Sequence, residues 1–391
     1  MKRLIALLVA FVLIVGGLSA CGGEKNDEPS DSAAVEPSPS NSPDATVSES
    51  EEDSSTAEGT GKIGISMPTQ SLQRWNQDGS NMKSEFEAAG YEVDLQYGGD
   101  NDIATQVSQI ENMIAGGCDV LVIAAIDGDS LTTVLEDAKE KDIPVIAYDR
   151  LIMNSDAVAY YATFDNTKVG TLQGEYIVDA LDLENAGDKT YNIEMFTGSP
   201  DDNNINYFFG GAMEVLEPYI EAGTLIVPSG QTEITQVATM GWNTEEAQER
   251  MENLIAAQDY GPSGTQLDAV LSSNDSVANG ITNALVAAGY TADDFPVITG
   301  QDCDITSVQN MIAGTQSMSV FKDTRTLAAQ VVEMVTSIIE GSEPEINDEE
   351  NYDNGTGVIP TYLCDPVLGT ADNYEELLIE SGYYTADELG A

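Results

Sequence analysis

From Gly61 onward the chain alternates short apolar segments with amphipathic segments, and this alternation constrains the fold more than any other feature. The apolar segments have the length of strands, and most of them precede a stretch with the 3.6-residue period of a helix. Strands that alternate with helices in this way form parallel sheets with helices on both faces. The pattern predicts an α/β protein made of two successive doubly wound lobes.

The first run predicts strands at KIGISM, EVDLQY, DVLVIAA, IPVIAY and VAYYAT, with helices at about 70–89 and 102–115. The second of these helices has one apolar stripe, made of Ile103, Val107, Ile110 and Ile114. A second run starts with a helix near Asp165 and predicts strands at YNIEMF, LIVPS, DAVLSS and PVITG. Its further helices are expected from about Asn203, after Asn243 and after Asp275.

Composition excludes several classes of function. The 391 residues contain no histidine, which removes the commonest general base and every Ser-His or Cys-His nucleophile arrangement. The 68 acidic and 14 basic side chains give a formal net charge of -54, and such a field repels phosphate backbones. We therefore expect no nucleic-acid partner.

The N-terminal segment has the features of a secretory signal. Lys2 and Arg3 precede an apolar run at 4–15, and small residues lead into Cys21, which predicts a signal peptide over 1–20. The sequence LSAC resembles the bacterial lipobox, which implies that Cys21 carries a lipid and anchors the protein on the extracytoplasmic face of the cell membrane. An ordinary signal peptide with an incidental cysteine is the alternative. Residues 21–60 are rich in Ser, Pro, Glu and Asp, which predicts a disordered acidic tether.

Polar and indole side chains lie just after the predicted strands. In open parallel sheets ligands bind beyond the carboxyl ends of the strands, so these positions are candidates for a site. Carboxylates and amides accept hydrogen bonds from sugar hydroxyls, arginine donates through a rigid fork, and an indole covers the apolar face of a pyranose ring. The candidate residues are Arg74, Trp75, Asp149, Arg150, Asn203, Asn204, Trp242, Asn274 and Asp302.

Each of these residues alone has an ordinary structural explanation. Asp149 and Arg150 could form an ion pair at a solvated strand end, and a lone tryptophan is usually part of a core. Before the helix that follows DAVLSS, we expect Asp275 to be the N-cap and Asn274 to face a ligand. The set as a whole favours one binding cleft between the lobes, because six strand ends would converge there.

Nearly all of the chain from Gly61 resembles the bacterial type I periplasmic-binding proteins for monosaccharides, most closely the xylose-binding and multiple-sugar receptors of ABC importers. The resemblance implies that Arg74, Trp75, Asp149 and Arg150 clamp the sugar from one lobe, and Asn203 or Asn204, Trp242, Asn274 and Asp302 from the other. It also implies that Lys322 reaches in from the hinge. The motifs that carry it are RW at Arg74, SQIENMIAGG at Ser108, AYDRLI at Ala147, ATFDN at Ala162, GSPDDNN at Gly198, SND at Ser273, GQD at Gly300 and FKDT at Phe321.

The same resemblance implies the domain organisation. The N-terminal lobe would comprise 61–164 plus 323–355, the C-terminal lobe 165–322 plus 356–391, and a three-strand hinge would join them. The acidic stretch at 341–357 is expected to be a loop. The implied function is capture of xylose, glucose, galactose or arabinose by hinge closure and delivery to an ABC transporter permease by a monomeric protein.

Three alternative functions are those of a sensor, a carbohydrate-active enzyme and a sugar-responsive repressor. A sugar or furanosyl-signal sensor that docks on a chemoreceptor or kinase is the main alternative. A carbohydrate-active enzyme would need a carboxylic acid paired with a nucleophile, and Asp149 lies next to an arginine that favours its ionised form. A sugar-responsive repressor would need a basic helix-turn-helix segment before Gly61, where the acidic tether stands instead. We therefore expect no enzyme activity.

The sequence predicts no cofactor and no structural metal. The Asp127-Gly128-Asp129 segment lacks the full set of oxygen ligands of a calcium loop. Cys118 is expected in the core. Cys303 and Cys364 could form a disulfide in an extracytoplasmic protein, or both could be unpaired and buried.

Overall fold

The computed structural model describes residues 61–391. The predicted signal peptide, Cys21 and the predicted tether lie outside these residues. Within 61–391, no helix combines the length and the apolar character that a membrane span requires.

Strands and helices alternate along most of the described chain, as the apolar pattern predicts. The strands are β1 Lys62–Met67, β2 Glu92–Tyr97, β3 Val120–Ile123, β4 Val145–Tyr148, β5 Val158–Phe164, β6 Tyr191–Phe196, β7 Leu225–Ile226, β8 Ala269–Ser272, β9 Val297–Ile298, β10 Met318–Phe321, β11 Thr361–Cys364 and β12 Val367–Thr370. The α-helices are α1 Gln73–Ala88, α2 Ile103–Ala115, α3 Thr132–Glu140, α4 Asn166–Ala180, α5 Asn204–Glu221, α6 Ile234–Val237, α7 Thr244–Gln258, α8 Asp275–Ala287, α9 Ile305–Ala313, α10 Thr324–Glu340 and α11 Ala386–Leu389.

The first lobe is built on a six-stranded parallel sheet with the strand order β11-β5-β4-β3-β1-β2. Its central strands, VLVI in β3 and VIAY in β4, are buried at every position because helices cover both faces of the sheet. Helices α1 and α10 pack together over one apolar face, and α2 and α3 cover the other. Because all six strands run parallel, the carboxyl ends of β1 and β4 lie at the same edge of the sheet.

The second lobe is built on a four-stranded parallel sheet with the order β7-β6-β8-β9. A two-stranded antiparallel ribbon, β10 with β12, adjoins it through a bridge between Gln301 and Val320. Helix α4 packs on α5 and α7 packs on α8. The predicted fold class, two doubly wound lobes with parallel sheets, is confirmed.

Three short segments connect the lobes. They lie between β5 and α4, between β10 and α10, and between β11 and β12. Helix α10 returns to the first lobe as predicted, and residues 341–357 form the expected loop. One predicted boundary is wrong: 356–391 was assigned as a whole to the second lobe, yet β11 pairs with β5 in the first sheet. The last crossover therefore follows Cys364, and we place the lobe boundaries at these three segments.

The three described cysteines are free and buried. Cys118 lies in the core of the first lobe, as expected. The thiol of Cys303 lies 3.6 Å from the carbonyl oxygen of Ser319 and makes no disulfide with Cys364. Of the two alternatives for this pair, unpaired buried thiols are correct.

Candidate functional site

The carboxyl ends of the two sheets face each other around a small space, called here the inner cavity, which measures about 400 Å³ with the open solvent inside its boundary included. Nine of the ten residues predicted to bind a ligand line it: Arg74, Trp75, Asp149, Arg150, Asn204, Trp242, Asn274, Asp302 and Lys322.

Arg74 is the centre of a buried network of charges. It lies in the first turn of α1, where Nε donates to Asp78 Oδ2 at 2.9 Å, one helical turn further on. Nη2 donates to the carboxylate of Asp149 in the same lobe, and Nη1 donates at 3.3 Å to Oδ1 of Asp302 in the other lobe. Asp78 also accepts a hydrogen bond from the Tyr148 hydroxyl. One guanidinium thus contacts three carboxylates and bridges the cleft.

Lys322 is the second cation shared by the two lobes. Its ammonium lies 3.2 Å from Asp302 Oδ1 and 3.7 Å from Asp149 Oδ2, and the side chain is 1% exposed. The ammonium also lies near the rings of Phe164 and Phe208, 5.8 and 5.6 Å from their centroids. This position agrees with the expectation that the Lys322 side chain extends from the hinge into the cleft.

The charges in the network determine its protonation. Burial alone would raise the pKa of the Asp149 carboxyl, but three neighbouring cations, Arg74 foremost, hold that pKa below its usual value. Burial would lower the pKa of Arg74, whereas the adjacent carboxylates raise it well above its usual value. Asp149 and Arg74 are therefore both charged at neutral pH, and the site offers fixed acceptors and fixed donors.

Asp149 is held in an unusual backbone conformation. Its φ is 59°, in the left-handed region that few residues other than glycine adopt. Its carbonyl oxygen accepts hydrogen bonds from Tyr161 Oη at 2.6 Å, Thr163 Oγ1 at 3.0 Å and Asn204 Nδ2 at 2.8 Å. These bonds stabilise the turn that points the carboxylate into the cavity. Asn204 comes from the first turn of α5, so this contact also crosses between the lobes.

Arg150 joins the lobes on the other side of the cavity. Its Nη1 donates to the carbonyl oxygens of Ala125 and Ile126 at 3.0 and 3.2 Å. Its Nε lies 3.0 Å from Asp202 Oδ2, an ion pair without hydrogen-bond geometry. The guanidinium also covers the Trp75 ring at 5.1 Å from the centroid. Trp75 and Arg150 therefore form one wall of the cavity.

Trp242 is positioned by a tight turn at Met240–Trp242. Its φ is 55°, and its ring packs edge-to-face on Phe208 at 6.2 Å. A Cβ atom at Gly198 would lie 2.1 Å from the indole, so only glycine fits there. The indole nitrogen is buried and has no acceptor among residues 61–391.

One sequence interpretation at a helix start is wrong, and at a second helix start the structure distinguishes between two residues that the sequence left open. Asn274, not Asp275, caps α8, because Asn274 Oδ1 accepts from the Val277 amide at 3.0 Å. Asn274 still lines the cavity while capping the helix. Asn203 does not line it: its side chain accepts from Asn206 Nδ2 at the start of α5. The chain enters α5 with Asn204, not Asn203, turned toward the cleft.

Asp275 is buried beneath the site. Its carboxylate accepts hydrogen bonds from Ser319 Oγ at 2.9 Å, Gln316 Nε2 at 3.0 Å and the Asp304 amide at 2.8 Å. Burial, with the nearby carboxylate of Asp304, raises its pKa well above the usual value. Asp275 therefore fixes the loop that carries Asp302 and Asp304.

Four further lining residues were not among those predicted to bind a ligand: Asp202, Phe208, Gln301 and Asp304. Asp202 belongs to the GSPDDNN motif, and Gln301 and Asp304 lie within two residues of Asp302. Their closeness in sequence to predicted site residues is therefore a signal that could have identified them. Phe208 is an apolar residue inside α5, and no local signal separates it from core residues. Within residues 61–391, no cluster of metal-ligating side chains is arranged to hold an ion.

Comparisons with known proteins agree with this geometry. The family model of the periplasmic binding protein domain matches residues 63–343. The multiple sugar-binding periplasmic receptor ChvE of Rhizobium radiobacter is 51% identical over 331 residues, which cover 84% of this chain and 92% of that protein. The D-xylose-binding periplasmic protein of Escherichia coli is 36% identical over 84% of this chain and 92% of that protein.

A solved structure is also similar. It is an ABC transporter solute-binding protein from Clostridium phytofermentans with bound β-D-glucose, 61% identical, with a TM-score of 0.81 and coverage of 84% of this chain and 99% of that chain. The chain therefore belongs to the family of periplasmic binding proteins, the solute-binding proteins of ABC transporters.

Proposed function

We propose that this protein binds one monosaccharide in the inner cavity and delivers it to the permease of an ABC importer. The observation that carries the proposal is the charge network of Arg74, Lys322, Asp149 and Asp302, which joins both lobes inside a cavity that two indoles also line. Carboxylates accept from vicinal hydroxyls, the cations donate to ring and hydroxyl oxygens, and the indoles cover C–H faces. A sugar ring has all three kinds of surface.

The mechanism is closure of the lobes around the ligand. Each lobe supplies half of the site, so a sugar that contacts both halves stabilises the closed form. In the structure the facing side chains already contact each other directly, for example Arg74 and Asp302 at 3.3 Å. The sugar replaces part of these contacts with its own hydroxyls, and the closed shape is what the permease recognises.

D-glucose is the first ligand to test, because a 61% identical solute-binding protein holds it. D-xylose follows, because a 36% identical relative is a D-xylose-binding protein. The ion pairs keep Asp149 ionised, so this carboxylate accepts hydrogen bonds and cannot serve as a general acid.

The test is a calorimetric titration of the purified protein with D-glucose, D-xylose, D-galactose, L-arabinose and D-ribose. We expect at least one sugar to bind with a dissociation constant of about 1 μM or less, which corresponds to about -8 kcal/mol. Each sugar should be recovered chemically unchanged after incubation. Absence of binding to all five would contradict the proposal.

A further inference from the structure

A second cavity lies at the mouth of the cleft and shares a wall with the inner cavity. With open solvent included in both figures, this outer cavity measures about 1200 Å³ and the inner one about 400 Å³. The residues common to both are Leu72, Trp75, Arg150 and Trp242. The two spaces are therefore adjacent, and both indoles of the protein border each of them.

Both lobes build the outer cavity. The first lobe contributes the loop after β1 and the loop before α2, which are tied together because Ser71 Oγ donates to the Asp100 carboxylate at 2.6 Å. The second lobe contributes the GSPDD loop after β6 and the start of α7. The lobes meet at its rim, where the Asn101 side chain packs against Gly241. The cavity has this shape only when the lobes are close together.

Polar groups in the outer cavity remain available for a ligand. Among the hydrogen bonds within residues 61–391, none involves the side chains of Asn101, Asp201 or Glu245, although all three line the cavity. Trp242 is 4% exposed as a whole residue. Its indole nitrogen is buried and also has no acceptor in this part of the chain. Hydrogen-bonding groups beside indole rings are the features that bind sugar rings.

We propose that the outer cavity is a second saccharide subsite, so that the protein also binds disaccharides with one ring in each cavity. The proposal rests on the monosaccharide site proposed above and extends its ligand class. The shared wall, with Trp75 and Trp242, borders the bond between the two rings. The outer ring is neutral or cationic, because Asp100, Asp201 and Glu245 would repel a carboxylate there.

The experiment compares single-ring and two-ring ligands on the purified full-length protein. Calorimetric titrations use D-glucose, cellobiose and maltose, so that two linkages are sampled. We expect at least one disaccharide to bind within tenfold of the affinity for glucose. If glucose binds and neither disaccharide binds, the subsite is overturned while the monosaccharide site stands. If none of the five monosaccharides binds and neither disaccharide does, both proposals fail.

Two variants of outer-cavity residues separate the subsites. Asn101→Ala and Asp201→Ala should each weaken disaccharide binding at least fivefold and leave glucose binding within twofold of the wild type. The matched control is Asp188→Ala, an exposed aspartate remote from both cavities, which should change neither. Thermal melts check that each variant is folded. Equal weakening of both ligands, or no effect on the disaccharide, would overturn the proposal.

Discussion

At the scale of single residues, the site depends on charges that are buried but fully paired. Asp302 contacts two cations, Arg74 and Lys322, and has a φ of 96° in the turn after β9. A buried charge that loses its partner is costly, whereas a paired one is close to neutral for stability. Arg74 keeps Asp78 and Asp149 as partners when Asp302 is removed.

Asp302→Asn is expected to weaken binding of the best sugar at least thirtyfold, about 2 kcal/mol at 1.4 kcal/mol per tenfold. The amide accepts more weakly from both cations and from sugar hydroxyls. The melting temperature without ligand should stay close to that of the wild type, because the other pairs of Arg74 remain. A large drop in melting temperature with unchanged affinity would show that Asp302 serves stability instead of binding.

Asp304 gives the protein a pH-dependent stability. Its side chain is partly exposed, but Oδ1 is buried without a donor among the described residues. Burial, together with the charge of Asp302, raises the pKa of Asp304 to about 7. In the unfolded chain an aspartate has a pKa of about 3.9. Between these values the folded protein keeps a proton that the unfolded chain releases, so stability falls as the pH rises through this window.

Asp304→Asn should therefore lose less stability than the wild type between pH 4.5 and pH 8. The side chain of the variant cannot ionise, so the number of protons bound at this position is the same in the folded and unfolded states. Melting temperatures of both proteins at the two pH values measure the difference, with Asp188→Asn as the control for a lost surface charge. Identical slopes for Asp304→Asn and the wild type would contradict the assignment.

At the scale of elements, the C-terminal segment fastens the two halves of the site to each other. The hydroxyl of Tyr384 accepts from Gln73 Nε2 at 2.7 Å and Gln77 Nε2 at 3.1 Å on α1, and donates to the Cys303 carbonyl at 3.1 Å. Gln73 precedes Arg74, and Cys303 follows Asp302. One tyrosine thus holds the helix and the loop whose charged side chains meet in the cavity.

Tyr384→Phe is expected to weaken sugar binding three- to tenfold and to lower the melting temperature. The variant retains the packing of the ring but leaves a buried carbonyl and two amides unpaired, at about 1–3 kcal/mol for a buried unsatisfied group. Calorimetry and thermal melts measure the two effects. Tyr374→Phe is the matched control, since within residues 61–391 the Tyr374 hydroxyl bonds only its neighbour Glu375. Equal behaviour of the two variants would refute the fastening role.

The apolar pattern predicted most elements closely but not their ends. Helix α2 starts at Ile103, next to the predicted Asp102, which caps it through a hydrogen bond from the Thr105 amide at 3.0 Å. Helix α1 starts at Gln73, three residues later than predicted, because its N-cap Leu72 supplies no side-chain bond that would signal the start. Capping chemistry is local and can be read from sequence, and where it is missing the boundary is set by packing.

At the scale of the whole molecule, the protein combines a two-lobed binding body with a predicted lipid anchor. The polar contacts that cross the cleft in this closed arrangement include the Arg74–Asp302 and Arg150–Asp202 ion pairs, the bond from Asn204 to the Asp149 carbonyl, and one from the Gly128 amide to the Asp201 carbonyl at 3.4 Å. These contacts are polar, so they can exchange with water or sugar as the lobes open.

Cys21→Ala should release the protein from the membrane and leave its affinity for sugar unchanged. The expected reason is that the acyl chain on Cys21 anchors the protein, while the binding body starts at Gly61, beyond the predicted tether. Fractionation of cells followed by calorimetry of the released protein measures both outcomes. Full retention of the variant in the membrane fraction would contradict the lipobox interpretation.

The sequence by itself determined the sheet type, the two-lobed plan and eight of the cavity-lining side chains, because strand ends and helix starts are local features of the apolar pattern, whereas Lys322 was expected from the family resemblance alone. Only the tertiary structure decided which side chains meet. It selected Asn204 over Asn203, paired Arg150 with Asp202, left Cys303 and Cys364 unpaired, and returned β11 to the first sheet. Such contacts join residues far apart in the chain: Gln73 and Tyr384 are separated by 311 positions. Which residues form such contacts depends on how the two lobes pack against each other. The local period of hydrophobic residues does not predict that packing.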